Sequence, residues 1–195
     1  FMNEISILVP VANGSEEMET VIIVDMLRRA GIKVIIAGDT EIITCSRNVK
    51  IIPDILISNL DPSTKFNAII LPGGLKGTEN LISYSVLKDV LINHKKANLL
   101  IGAICAAQTI LAVHNLLNPN QKITSHPGNK KQLSTYNYSE EEVVLENNIL
   151  TSRGAGTAFK FALKIIEYFL GEKKAMEISE SIVYYQYLNQ LKKYE

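Results

Sequence analysis

The 195-residue chain has no net charge, only two cysteines, three histidines and no long apolar run. Its 20 basic and 20 acidic residues balance, so nothing in the charge favours a nucleic acid or an anionic membrane. Neither is expected as a partner. No apolar stretch approaches the roughly 20 residues needed to span a bilayer. Ile5 to Ala12 is short and has no basic region before it, so it does not read as a secretion signal. Cys45 and Cys105 make no disulfide framework, and a reducing cytoplasm is the expected setting. No Cys/His cluster has metal-ligand spacing. Gly73–Thr78 does not match a phosphate loop, and Gly154-Ala-Gly156 lacks the third glycine of a dinucleotide fingerprint. No metal or other cofactor is expected.

What remains is the composition of an ordinary globular protein, long enough for one substantial domain. That domain is expected over 2–195, with Phe1, which precedes Met2, outside it. Buried strands read at Ile5–Val11, Lys33–Ala37, Ala68–Leu71 and the run ending at Cys105. Ser15 is the expected N-cap of a helix over Glu16–Ala30, which Gly31 ends. Short hairpins are expected around Ser46-Arg47-Asn48 and across Glu146-Asn147-Asn148, with a short strand at Lys122–Ser125. Helical patterns run through Leu81–Lys96, from Cys105 to about Asn115, through Thr157–Leu170, and from Glu172 to about Lys193. Apolar strands alternating with helices of ten or more residues predict an α/β fold, a mostly parallel sheet covered on both faces. Ligands bind such sheets beyond the C-terminal strand ends. Asn13–Glu19, Pro72–Gly74 and Cys105 all follow strand ends.

Cys105 is the sharpest candidate for chemistry. A buried strand stops there and a helix begins, with Ala103 and Ala107 two residues away on either side. Small flanking residues suit a tight nucleophile elbow, and a helix N-terminus would favour the thiolate. The alternative is a small buried hydrophobe. Glu19 lies three, four, seven, eight and eleven residues before Ile22, Ile23, Met26, Leu27 and Ala30, in line with the apolar face. Glu16 and Glu17 lack that placement. A carboxyl desolvated there would have a raised pKa; the alternative is a solvated first-turn glutamate. Gly73 and Gly74 could offer N–H groups to an oxyanion, or simply make a turn. His126, held before Pro127, is the one histidine suited to pair with Cys105; His94 and His114 read as solvated helix ends. Arg153 reads as an ion-pair partner or an anion ligand.

These residues together resemble the DJ/ThiJ/PfpI superfamily, in the branch of the human Parkinson-disease-associated deglycase. The marks are Gly14-Ser-Glu-Glu-Met-Glu-Thr20, Arg28-Arg-Ala-Gly-Ile-Lys-Val34, Cys45-Ser-Arg47, Leu71-Pro-Gly-Gly74, Ala103-Ile-Cys-Ala106, Thr124-Ser-His-Pro127 and Leu150-Thr-Ser-Arg-Gly154. The resemblance implies a flavodoxin-like three-layer sandwich and a homodimer pairing through the first helix, where Met18 lies. It implies a nucleophilic Cys105, a protonated Glu19 bonded to its sulfur, a nearby His126, and an anion pocket from Gly73, Gly74 and the Ala106 N–H. Protease-like members carry histidine directly after the nucleophile; Ala106 stands there, which argues against a Cys-His-acid protease. The human branch member has Gly-Pro where this chain has Ala107-Gln108. The implied activity is a glutathione-independent glyoxalase or deglycase acting on methylglyoxal-type aldehydes or glycated protein adducts. The rival is a redox sensor or redox-regulated chaperone that oxidises the same cysteine.

Overall fold

The computed structural model describes residues 4–184. In chain order the elements are β1 (Ser6–Val11), α1 (Glu17–Arg29), β2 (Lys33–Gly38), β3 (Ile43–Thr44), β4 (Lys50–Ile51), β5 (Ile55–Leu56), β6 (Ala68–Leu71), α2 (Leu75–Ile82) and α3 (Ser85–Lys96). There follow β7 (Leu100–Ile104), α4 (Gln108–Val113), β8 (Lys122–Ile123), β9 (Asn137–Tyr138), β10 (Val143–Glu146), β11 (Ile149–Ser152), α5 (Ala158–Leu170) and α6 (Glu172–Ser181). Seven strands form one sheet in the order β10-β11-β7-β6-β1-β2-β5, and every pairing in it is parallel except β10–β11. The central strands β6 and β7 are buried along their whole length, because helices cover both faces. α1, α5 and α6 pack over one face, around Ile23, Leu27, Phe161 and Ile165. α2, α3 and α4 pack over the other, around Leu81, Leu87, Leu91 and Ile110. The architecture is therefore the expected three-layer α/β sandwich.

Several expectations change in detail. Glu16, not Ser15, caps α1, its side chain accepting from the Met18 N–H at 3.0 Å. Ser15 is buried, and its hydroxyl instead accepts from the Ala12 N–H. The helical stretch before β7 is two helices with a break at Ser83-Tyr84, and it begins earlier, at Leu75. β5 and β9, two residues each, carry no periodicity to read. The last helix ends at Ser181, and 182–184 do not continue it; the rest of the expected helical stretch to Lys193 lies outside the described residues. His94 is not a solvated end: it is buried, its Nε2 is 3.0 Å from the Leu100 carbonyl, and burial holds its pKa below the usual value. His114 caps α4 half-buried, its pKa lowered by burial and by Lys88. Arg153 donates to the Glu140 carbonyl, a structural contact.

The sheet order places a topological switch between β1 and β6. From β1 the chain steps outward to β2 and β5, then returns to pair β6 on the other side of β1. Loops leaving neighbouring strand ends in opposite directions open a crevice there. Gln108 braces its rim. This fully buried amide donates from Nε2 toward the carbonyls of Ala103 (3.1 Å), Thr124 (2.7 Å) and Ser152 (2.7 Å), joining the start of α4 to the ends of β7 and β11. Gln108 thus serves the scaffold and does not polarise the cleft. Gln108→Ala should leave buried carbonyls without a donor and cost about 2 kcal/mol, a fall of roughly 4–8 °C in melting temperature for a domain of this size. Thermal unfolding followed by circular dichroism checks this; an unchanged melting point would remove the bracing role.

Candidate active site

The loops after β1, β6 and β7 meet at one cleft of about 590 Å³, lined among others by Glu19, Cys45, Arg47, Gly74, Cys105, Ala106 and His126. Cys105 sits between β7 and α4 with φ +66°, a left-handed backbone that costs a non-glycine residue of order 1–3 kcal/mol. Its N–H donates to the Ser152 carbonyl at 3.1 Å, and its own carbonyl accepts from the His126 N–H at 3.0 Å. The strained turn is thus pinned from both sides, as an elbow requires.

Glu19 is fully buried on α1. Its Oε2 accepts from the Gly73 N–H at 2.7 Å. Its Oε1 is buried and has no well-formed hydrogen bond, while the carboxyl as a whole interacts with the Cys105 thiol. Burial pushes the carboxyl up to about 7; the Gly73 and Cys105 contacts pull it down, and the Glu16 charge raises it further. Gly73 is the point of closest approach. A Cβ there would stand 2.6 Å from the Cys105 Cβ and 2.8 Å from Glu19 Oε2. The Gly73 N–H is therefore committed to Glu19 and is not free for an oxyanion. The N–H groups of Gly74 and Ala106 reach the sulfur instead.

The expected low thiol pKa is not found in the resting pair. Burial, then the Glu19 carboxylate, pushes the Cys105 thiol up to about 12, against the pull of Gly74 and Ala106. α4 begins only at Gln108, so the N–H groups nearest the sulfur belong to the turn. When Glu19 is protonated its charge no longer opposes the thiolate, and those two N–H groups favour it. Burial still opposes the thiolate then, so the two groups titrate as a coupled pair.

His126 lies at the mouth, exposed. Its Nδ1 accepts from the Gly128 N–H at 3.1 Å, which leaves Nε2 as the ring's donor. Cys45 lines the same cleft from the β3–β4 hairpin, but it is buried and has no counterpart to the N–H pair at Cys105. Burial, with the charges of Glu17, Glu16 and Asp39, pushes its thiol up to about 11. The hairpin is anchored by Glu17, which is buried too. Burial pushes its carboxyl up, but the Ser46 hydroxyl (2.7 Å) and the Arg47 N–H (2.7 Å) outweigh it and hold the pKa below the usual value. Glu17 lies outside the apolar stripe that buries Glu19 and is buried instead by this hairpin. Cys45, Arg47, Leu75, Asn129 and Ala155 reach the cleft through tertiary folding, with no spacing signal of their own.

A model of the DJ-1/PfpI family matches residues 5–168. The chain belongs to that family. The crystal structure of Drosophila melanogaster DJ-1beta superposes with a TM-score of 0.88 at 43% identity, covering 92% of this chain and 98% of that one. An oxidized Toxoplasma gondii DJ-1 superposes with a TM-score of 0.86 at 38% identity, covering 92% and 98%. A Caenorhabditis elegans relative, 37% identical over 86% of this chain and 89% of its own length, is named glutathione-independent glyoxalase DJR-1.2. Among the described residues no group of histidine, cysteine and carboxylate side chains could hold a metal ion. No helix among them is long and apolar enough to cross a membrane.

A buried carboxyl raised from 4.5 to about 7 has a definite effect on stability. The folded protein binds this proton more tightly than the unfolded chain does, so its contribution is full below about pH 4.5 and is lost as pH rises through 7. The loss amounts to about 3 kcal/mol. Glu19→Gln removes the titrating group. Urea unfolding should show the variant gaining on the wild type by that order between pH 5 and pH 8. A difference independent of pH would mean Glu19 is ionised throughout.

Proposed function

We propose that the chain is a glutathione-independent glyoxalase acting on methylglyoxal-type 2-oxoaldehydes, with Cys105 as nucleophile. The observation that carries this reading is the buried Glu19–Cys105 pair, in which one carboxyl poised near neutrality adjoins one sulfur faced by two N–H groups. The glyoxalase name of the C. elegans relative supports it. The Cys105 thiol passes its proton to the Glu19 carboxylate as sulfur adds to the aldehyde carbon, and Glu19 returns the proton to the new alkoxide. The carboxylate then removes the C–H proton of this hemithioacetal, giving an enediolate. The same proton goes to the adjacent carbon, and the hydroxyl proton passes to the former ketone oxygen. The product is a lactoyl thioester, which water hydrolyses to lactate and the free thiol. A carboxyl with a pKa near the working pH suits both directions of transfer. His126 donates from Nε2 to the ketone oxygen, while the Gly74 and Ala106 N–H groups steady charge on the thiolate and its adduct. The same opening steps on an adduct tethered to a protein side chain would make a deglycase.

One observation favours a second, redox reading of the same sulfur: a carboxyl still protonated near neutrality stands beside it, ready to donate to an oxidised form. Lactate release from methylglyoxal, without added glutathione, separates the two. Cys105→Ser should lower turnover by about 10³-fold or more and Glu19→Gln by roughly 10²–10⁴-fold. Cys45→Ser should retain most activity. A wild type that makes no lactate, yet takes up two oxygens at Cys105 with mild peroxide, would remove the glyoxalase reading in favour of the redox one. The reducing cytoplasm is the proposed setting, since Cys45 and Cys105 are both free thiols.

A homodimer through α1 completes the proposal. Met18 and Val21 are about half exposed on that helix. On the neighbouring hairpin Val49 and Ile52 are exposed as well, and Ile51 lines a shallow cleft together with Val21. Apolar surface spanning two elements suits a subunit contact. Sedimentation at micromolar concentration should give twice the 21.6 kDa chain mass; a monomer there would exclude a stable dimer.

A further inference from the structure

A second cavity adjoins the active-site cleft. It holds about 400 Å³ and shares Leu75, Ala106 and Asn129 with the cleft that contains Cys105. Its walls are two packed helices. α2 presents Leu75, Thr78 and Ile82, at offsets of three and seven along one helical face. α4 presents Thr109, Ala112 and Val113, at offsets of three and four. The segment 129–133 closes the far side with Leu133. Small side chains at Thr78, Thr109 and Ala112 leave the helices unable to fill the space between them. The rim is open and mixed: Leu75 and Val113, more than half exposed, stand beside the polar side chains of Glu79 and Gln132.

A methyl group, the substituent of methylglyoxal, would leave this groove empty. We infer that the α2–α4 groove is a specificity subsite that takes an aliphatic chain carried by the molecule whose carbonyl reacts at Cys105. The substrate class is then a 2-oxoaldehyde with an alkyl substituent longer than methyl. The inference rests on the glyoxalase reading for the reaction, and on the lining shared with the Cys105 cleft for the chain. Ala106 joins the two: its N–H faces the sulfur, and its residue lines both spaces. A chain leaving the carbonyl at Cys105 passes Ala106 and enters between the helices. Burying two methylenes there gives about a tenfold gain in affinity.

The test does not need turnover. Cys105 in the whole protein is alkylated with iodoacetamide and with N-hexyl iodoacetamide; the sulfur bonds to the methylene carbon and iodide leaves. Each rate, read by peptide mass, is divided by the rate of a free thiol peptide with the same reagent. The hexyl reagent should then be favoured about tenfold. Ala112→Phe, which fills the groove, should bring that ratio close to one. Val113→Lys at the exposed rim provides a second variant that does not disturb the core, and it should lower the ratio several-fold. A wild-type ratio near one, or a ratio that neither variant lowers, would overturn the subsite while leaving methylglyoxal turnover untouched. A preserved hexyl preference with no turnover of methylglyoxal or of hexylglyoxal would overturn the glyoxalase reading and the substrate class, leaving only an alkyl-binding groove.

Discussion

The backbone of one residue, Gly73, holds the site together. Its N–H donates to Glu19 Oε2 at 2.7 Å, and its carbonyl accepts from the Glu16 N–H at 2.9 Å. The turn after β6 is thereby tied to the first turn of α1. Any Cβ at this position would collide with the Cys105 Cβ and the Glu19 carboxylate together. The absence of a side chain thus brings an acid and a thiol from distant parts of the chain into one buried volume. Their mutual pKa shifts follow from that proximity and from the exclusion of water.

The chemistry available to the pair is set by how the two groups share their environment. Burial brings Glu19 up to about 7, while the Gly73 N–H keeps its anion within reach. Burial and the Glu19 charge hold Cys105 as a thiol, and the Gly74 and Ala106 N–H groups favour its thiolate. Neither group would behave this way alone, since a buried cysteine without an acid neighbour is simply inert. The left-handed backbone at Cys105 stores strain that the Ser152 and His126 hydrogen bonds offset. Gln108 steadies the same corner by gathering three carbonyls.

Much of this was legible in the residues. The burial of Glu19 follows from its phase on the α1 stripe, because a 3.6-residue period carries one face inward whatever its chemistry. The elbow at Cys105 follows from a strand pattern meeting a helix pattern with small residues around the junction. Less legible was whatever depends on contacts across the fold. Ser15 looked like a cap, but its hydroxyl turned back to Ala12, and Glu16 took the role. His94 looked like a solvated helix end, but the start of β7 covers it and its ring meets the Leu100 carbonyl. Glu17 has no place on the apolar stripe, yet the hairpin that carries Cys45 folds over it.

Sequence alone determined the strand–helix alternation, the parallel sheet covered on both faces and the strand-to-helix junction at Cys105, because each is a local periodicity or a local turn constraint; the pairing of Glu19 with the sulfur came only with the family resemblance. Tertiary structure decided which N–H groups serve the sulfur. Gly73 went to Glu19, while Gly74 and Ala106 were left for Cys105. It decided that burial, more than a helix terminus, controls the thiol. It also opened the α2–α4 groove beside Ala106, a space that arises only when two separately coded helix faces with small central residues are set against each other.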